Sequence, residues 1–139
     1  MTAKFVKPFA VALTAAIIGV SSLASPAMAG GQFSINYAPN NSEQAQVLGM
    51  GLQLYSMFHG MKANGANVSQ RGNNNSAGGN QSGSNNQGVI VQRGNGHQGT
   101  IEQQGNNNSC GLFQFGRNTK AQCGQYGNGQ SSLTTVFGF

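Results

Sequence analysis

The chain has no aspartate, no tryptophan and very little charge. Of its 139 residues 6% are charged, and the only acids are Glu43 and Glu102. They lie in different regions, so they offer no carboxylate pair for acid–base catalysis. The histidines, His59 and His97, stand apart, with no metal-ligand spacing around them. No spaced Ser, His and acid constellation is present for a catalytic triad. The lack of aspartate also excludes the Asp-bearing calcium repeats of other secreted β-coils. The expectation is a protein that is not an enzyme and needs neither metal nor cofactor.

Length allows one domain. Composition alone reads as disordered or prion-like, because Gly, Asn, Gln and Ser dominate the second half and cannot easily bury a globular core. Formal net charge is +5. Beyond residue 29, Lys62, Arg71, Arg93, Arg117 and Lys120 stand against two glutamates and leave +3. That is too sparse for a nucleic-acid footprint, so no nucleic-acid partner is expected.

Residues 1–29 read as a secretory signal peptide. Lys4 and Lys7 precede the apolar stretch Phe9 to Val20, and Ala27-Met28-Ala29 supplies the small residues for cleavage between Ala29 and Gly30. The apolar stretch is shorter than the roughly 20 residues of a spanning helix. No later stretch could span as a helix, so the mature chain is not expected to insert in a membrane. Residues 30–65 form an N-terminal segment. Gly30 to Asn40 reads as polar and irregular. Asn41-Ser42-Glu43-Gln44 then offers an N-cap with an acid in the first turn. Leu54, Phe58 and Met61, flanked by Met50 and Met57, recur at helical spacing and predict a helix over 43–62. Such a helix could cover the open end of a repeat array, since exposed solenoid ends need capping, or simply pack on the repeats.

What organises the rest is a tripeptide, Gln-x-Gly, at a fixed step. Gln70, Gln81, Gln92, Gln103, Gln114 and Gln125 lie 11 residues apart, each followed at the second position by Gly72, Gly83, Gly94, Gly105, Gly116 and Gly127. A fixed short period is the signature of a repeat architecture. Five-residue stretches end at each Gln, and a seventh, Ser132 to Val136, ends without one. After each Gln come glycine and polar residues such as Asn75, Asn86 and Asn108, which suit tight turns. The unit is one short strand and one turn. Strand side chains alternate faces, so a small residue, an apolar residue and Gln share the inner face. The apolar members include Val68, Ile90, Ile101 and Leu112. The outer face is mixed: Asn67, Ser69, Val89, Val91, Glu102 and Phe113.

Two strands and two turns make a 22-residue coil. The predicted fold is all-β: a short β-solenoid, or cross-β stack, of strand-turn-strand coils over 66–139, preceded by the helical segment. Odd strands stack on odd and even on even, about 4.8 Å apart. The glutamines then form two ladders, whose stacked amides can satisfy one another.

At these residues the chain resembles the curlin repeats. Gln70-Arg71-Gly72-Asn73-Asn74-Asn75-Ser76-Ala77 followed by Gln81 carries the pattern throughout, and Gln103-Gln104-Gly105-Asn106-Asn107-Asn108 carries it with Cys110 at the small position. His97, Thr119 and Gln130 replace the asparagine elsewhere, so looser turns are expected there. The resemblance implies a secreted bacterial subunit of curli, the extracellular amyloid fibres of biofilms. Its partners would be copies of itself, a nucleator subunit and an outer-membrane secretion channel. Whether the chain is a major subunit or a nucleator stays open.

Two further expectations concern the C-terminal coils. Phe113, Phe115, Tyr126, Phe137 and Phe139 make that half stickier than the half bearing Arg71 and Arg93, so growth is expected from that end. Cys110 and Cys123 fall on the inner face of neighbouring strands, either bridged or as two small core residues. The rival to a fibre subunit is a monomeric secreted β-solenoid that binds a polysaccharide or a surface. Thr100, Thr134 and Thr135 form no regular array of the kind an ice binder would need.

Overall fold

The structure is a computed structural model, and it describes residues 31–62 and 64–139. The expected leader and its Ala29/Gly30 cleavage point lie outside the described residues. Eight strands and one helix follow in the order β1 (Gln32–Tyr37), α1 (Ser42–Phe58), β2 (Gly65–Arg71), β3 (Ser76–Ser82), β4 (Gln87–Asn95), β5 (Gln98–Gln104), β6 (Ser109–Arg117), β7 (Lys120–Tyr126) and β8 (Ser131–Gly138).

From β2 onward the chain is a β-solenoid of about three turns. One sheet, order β1-β8-β6-β4-β2, takes every second repeat strand, and the other, β3-β5-β7, takes the rest. All repeat pairs are parallel and in register at 22 residues: Gln70 faces Gln92, which faces Gln114, and Gln81 faces Gln103, which faces Gln125. Between the sheets lies a thin core of Ile90, Ile101, Leu112, Cys110 and Cys123, with Ala77 and Ala121 packed against it. Val68 shares the inner face and pairs with Ile90, yet it stays 45% exposed because no coil lies beyond the first.

Each coil turns on a glycine. Gly94 has φ 123°, and a Cβ there would sit 1.9 Å from the Gly116 carbonyl oxygen of the next coil. Backbone angle and close stacking therefore both demand glycine. Asn74, Asn85, Asn107 and Asn118 take the left-handed region in the same turns, the region in which Asn is the commonest alternative to glycine.

Three expectations need correction. Gly30 to Asn40 is not all irregular: Gln32–Tyr37 pairs antiparallel with β8, Phe33 opposite Phe137 and Ile35 opposite Thr135. Phe33, Ile35 and Tyr37 alternate with polar residues, and an edge with unpaired backbone groups takes such a strand. The helix is shorter than 43–62. Asn41 caps it by accepting from the Gln44 amide at 2.8 Å. It stops where Gly60 turns to φ 68° and the Gly60 and Met61 amides bond back to the Met57 and Ser56 carbonyls, a left-handed stop that satisfies two orphan carbonyls.

The buried face of the helix also differs from the expected stripe. Ala45, Gly49, Leu52 and Ser56 are buried, while Val47, Met50, Leu54, Met57 and Phe58 are exposed. This face lies on the outer side of β4, β6 and β8 rather than on the end of the array. Gly49 lets the helix come close, since a Cβ there would meet the Ser109 hydroxyl at 3.0 Å. Gly111 leaves room for Leu52 and Leu133. Polar pins complete the seat: the Ser131 hydroxyl donates to the Ala45 carbonyl at 2.6 Å, and the Gln87 amide donates to the Ser56 hydroxyl at 3.0 Å. A close-packed stripe of small and polar residues thus prevails over the larger apolar one.

Substituting Gly94→Ala should destabilise the fold by about 3 kcal/mol or more, through a strained φ and a backbone clash. At Gly127, where the nearest contact of an added Cβ is the flexible Gln130 amide at 3.3 Å, Ala should cost only about 1 kcal/mol. Urea midpoints of the two variants check the ranking.

Candidate functional site: the amide ladders and the open edges

The chemistry of the stack is carried by amides. Gln70 Nε2 donates to Gln92 Oε1 at 2.7 Å, and Gln92 Nε2 to Gln114 Oε1 at 2.8 Å. In the other sheet Gln81 donates to Gln103, and Gln103 to Gln125 at 2.6 Å. The second amide proton crosses to the neighbouring strand: Gln92 donates to the Ser76 carbonyl, Gln103 to that of Gln87, Gln114 to that of Gln98 and Gln125 to that of Ser109, at 2.9–3.0 Å. Gln92, Gln103 and Gln114 are fully buried. Each spends both protons and accepts one, which makes burial of a polar side chain tolerable.

A second ladder runs through the turns. Asn86 Oδ1 accepts from the Asn108 amide, and its Nδ2 donates to the Gly105 carbonyl at 2.8 Å. Asn75 and Asn108 repeat this toward Gly94 and Gly127. The turn asparagines therefore tie coil to coil as well as shaping the turn. Nor are the substituted turns at His97 and Thr119 loose. Both residues are fully buried. His97 Nδ1 lies 2.7 Å from the Thr119 hydroxyl, and Nε2 lies 3.1 Å from the Arg93 carbonyl. A carbonyl only accepts, so Nε2 carries a proton, and in the neutral ring Nδ1 accepts from Thr119. Thr119 in turn accepts from Gln114 Nε2 at 2.9 Å. Only Gln130, at the last turn, stays exposed.

Cys110 and Cys123 are bonded, with Cα atoms 6.7 Å apart. The bridge joins β6 to β7 and so staples one sheet to the other. The Ser132 hydroxyl lies beside both sulfurs, 3.1 Å from Cys123 and 3.5 Å from Cys110.

The ladders end differently at the two ends of the solenoid. At the first coil Gln70 and Gln81 each give one amide proton inward, and their Oε1 atoms accept from no ladder partner among the described residues. Among the described residues no strand pairs with the edges of β2 and β3 there. At the last coil β7 also ends its sheet, but β8 is paired with β1. Val136 closes its ladder with no amide, while Gln125 closes the other with its protons on Ser109 and Ser132. The aromatic C-terminal half is less open than expected. Phe113 packs edge-on against Tyr55 of α1 at 5.4 Å, and Phe115 stacks on Phe137 at 5.5 Å. Tyr126 stays exposed. The neighbouring Glu102 carboxylate, as a hydrogen-bond acceptor and a negative charge, raises the phenol pKa above the ordinary tyrosine value.

Sequence reasoning missed the second buried layer. Val89 and Val91, placed on a mixed outer face, are fully buried on the side where α1 crosses β4. Among the described residues no group of His, Cys, Asp or Glu is arranged to hold a metal. No helix among them is long and apolar enough to cross a membrane. No family model matches the chain, and neither a curated protein nor a solved structure gives a significant match.

Gln103→Leu should destabilise the fold by about 1–3 kcal/mol, because it strips buried partners from Gln81, Gln125 and the Gln87 carbonyl. Gln70→Leu, at the exposed end, strips a donor from one buried acceptor only, Gln92 Oε1, and should cost less, about 1 kcal/mol. Chemical unfolding of both variants tests this contrast. Replacing Cys110 and Cys123 together by serine should cost about 3 kcal/mol, the loop-closure figure for a bridge of this sequence separation, read as a drop in the urea midpoint relative to the oxidised chain.

Proposed function

We propose that the mature chain is a secreted structural subunit that polymerises into curli-like amyloid fibres on the bacterial cell surface, serving biofilm matrix, adhesion and colonisation. The observation that supports this most directly is the pair of unfilled parallel edges, β2 and β3, each presenting a glutamine whose Oε1 awaits a donor. An unpaired strand edge templates another chain, and in-register amide ladders are what cross-β stacks extend. Val68, half-exposed on the inner face, adds apolar area that only a further coil would cover. The curlin resemblance of 66–139 adds the partners: copies of the chain, a nucleating subunit and an outer-membrane channel through which the subunit passes unfolded. The signal-peptide reading of 1–29 fits that route.

A second reading is a monomeric secreted β-solenoid that binds a polysaccharide or surface. One observation favours it. A strand laid across one end is how monomeric solenoids stop growth, and β1 covers β8 in that way.

Purified residues 30–139, incubated with and without substoichiometric seed, discriminate the two. Fibres with a meridional reflection near 4.7 Å, and a lag shortened by seed, are the expected outcome. A β-rich monomer that stays soluble at the same concentration would sink the fibre reading and leave the monomeric one.

A further inference from the structure

The covering of one end by β1, set against the odd number of repeat strands, identifies a docking surface and what displaces its present occupant. The repeat strands number seven: β2, β4, β6 and β8 in one sheet, β3, β5 and β7 in the other. After β8, the next position along the coil lies below β7, and the one after that lies below β8. A second copy that continues the coil must place its β2 below β7 and its β3 below β8. In that register Gln70 of the second copy lies beneath Gln125, whose amide must turn one proton from the Ser132 hydroxyl to the free Oε1 of that Gln70. Arg71 lies beneath Tyr126, within reach of a cation–π contact. Without the half-coil offset, β2 would sit below β8, Gln70 would meet Val136, which has no amide, and one strand position below β7 would stay empty.

The place required by the incoming β3 is the one β1 holds. β1 is poorly suited to keep it. It runs antiparallel in an otherwise parallel stack. Its residues are mostly exposed, Ile35 at 41% and Tyr37 at 42%, and it contributes nothing to the central core. It also blocks part of the neighbouring edge: Gln32 accepts from the Lys120 amide at 2.9 Å and donates to the Lys120 carbonyl at 3.2 Å, occupying backbone groups of β7 that an incoming β2 would use.

We propose that the β7/β8 end is a docking surface for the β2/β3 end of a second copy, entered with a half-coil offset, and that β1 is a built-in competitor that must leave before the second copy can seat. This rests on the fibre reading for its biological setting, but the competition itself is a property of the single chain. Apparent affinity for the end is lowered by the fraction of molecules in which the edge is open. Weakening β1 therefore strengthens docking without touching the repeats.

The test uses a fluorescent peptide of residues 65–82, which spans β2 and β3, titrated against the full mature chain. Ile35→Pro removes a backbone donor and imposes a fixed φ within β1. It should bind the peptide at least about tenfold more tightly than the wild type, the ratio expected if β1 holds the edge closed nine-tenths of the time. Phe33→Ser/Ile35→Ser keeps every backbone donor and should shift affinity in the same direction. Circular dichroism of both variants confirms that the solenoid is folded. Equal or weaker peptide binding by the two folded variants overturns the proposal, since a permanent cap or an unused end would give that result. Polymerisation is scored separately. If wild type and variants form no cross-β fibre, the fibre reading fails, while the peptide comparison still decides whether β1 competes for the edge.

Discussion

A primary amide has two protons to give and a carbonyl to receive with, and the interior of the stack is arranged so that those three places are filled at Gln92, Gln103 and Gln114. The repeated glutamine donates along the stack and across to the facing strand. It accepts from the copy of itself one coil earlier. The scheme works only if successive coils keep one register, because a slip of one residue would turn each glutamine to the other face. The 22-residue pairing of every repeat strand is the geometric form of that requirement. The core is thin because a wider apolar interior would part the amides from the carbonyls opposite. Ile90, Ile101 and Leu112 supply the apolar interior that remains.

The turns obey the same constraint. Stacking at strand spacing brings one coil's glycine against the carbonyl of the next, with no room for a side chain. The asparagines of the turns then reach to the neighbouring coil and hold it. Where asparagine is replaced, the site is kept rather than abandoned. His97 and Thr119 fill it with an imidazole and a hydroxyl bonded to each other. The disulfide acts at right angles to all this, tying the two sheets where the ladders tie the coils.

Much of the solenoid was legible because its signal is periodic. Gln70 to Gln125 fixed strand count, register and inner face together, and no single position had to be trusted. What was not legible was local or depended on an end. Phe33-Ser34-Ile35-Asn36-Tyr37 alternates as a strand should, but one short alternation says little until an open edge such as β8 exists to receive it. The helix was found, yet the larger side chains misdirected the choice of face. Met50, Leu54 and Phe58 outweigh Ala45, Gly49 and Ser56 in hydrophobicity, while the smaller set permits close approach and hydrogen bonds to Gln87 and Ser131. A clue lay in the outward positions. Val89, Val91, Phe113 and Leu133 all belong to β4, β6 and β8, whereas β5 and β7 present Thr100, Glu102 and Gln122 outward. Averaging the two sheets into one mixed face hid that contrast.

The helix lies on one sheet only, and the repeat strands are odd in number. Together these set a symmetry. A copy that continues the coil begins on the sheet opposite to the one on which its predecessor began, so it is turned by half a revolution about the long axis. Helices would then project alternately to left and right, each facing a stretch of bare polar sheet on the copies above and below. Neither side of such a filament would be flat over more than one subunit, so the parity of the strand count would deny it sideways bundling through long smooth faces.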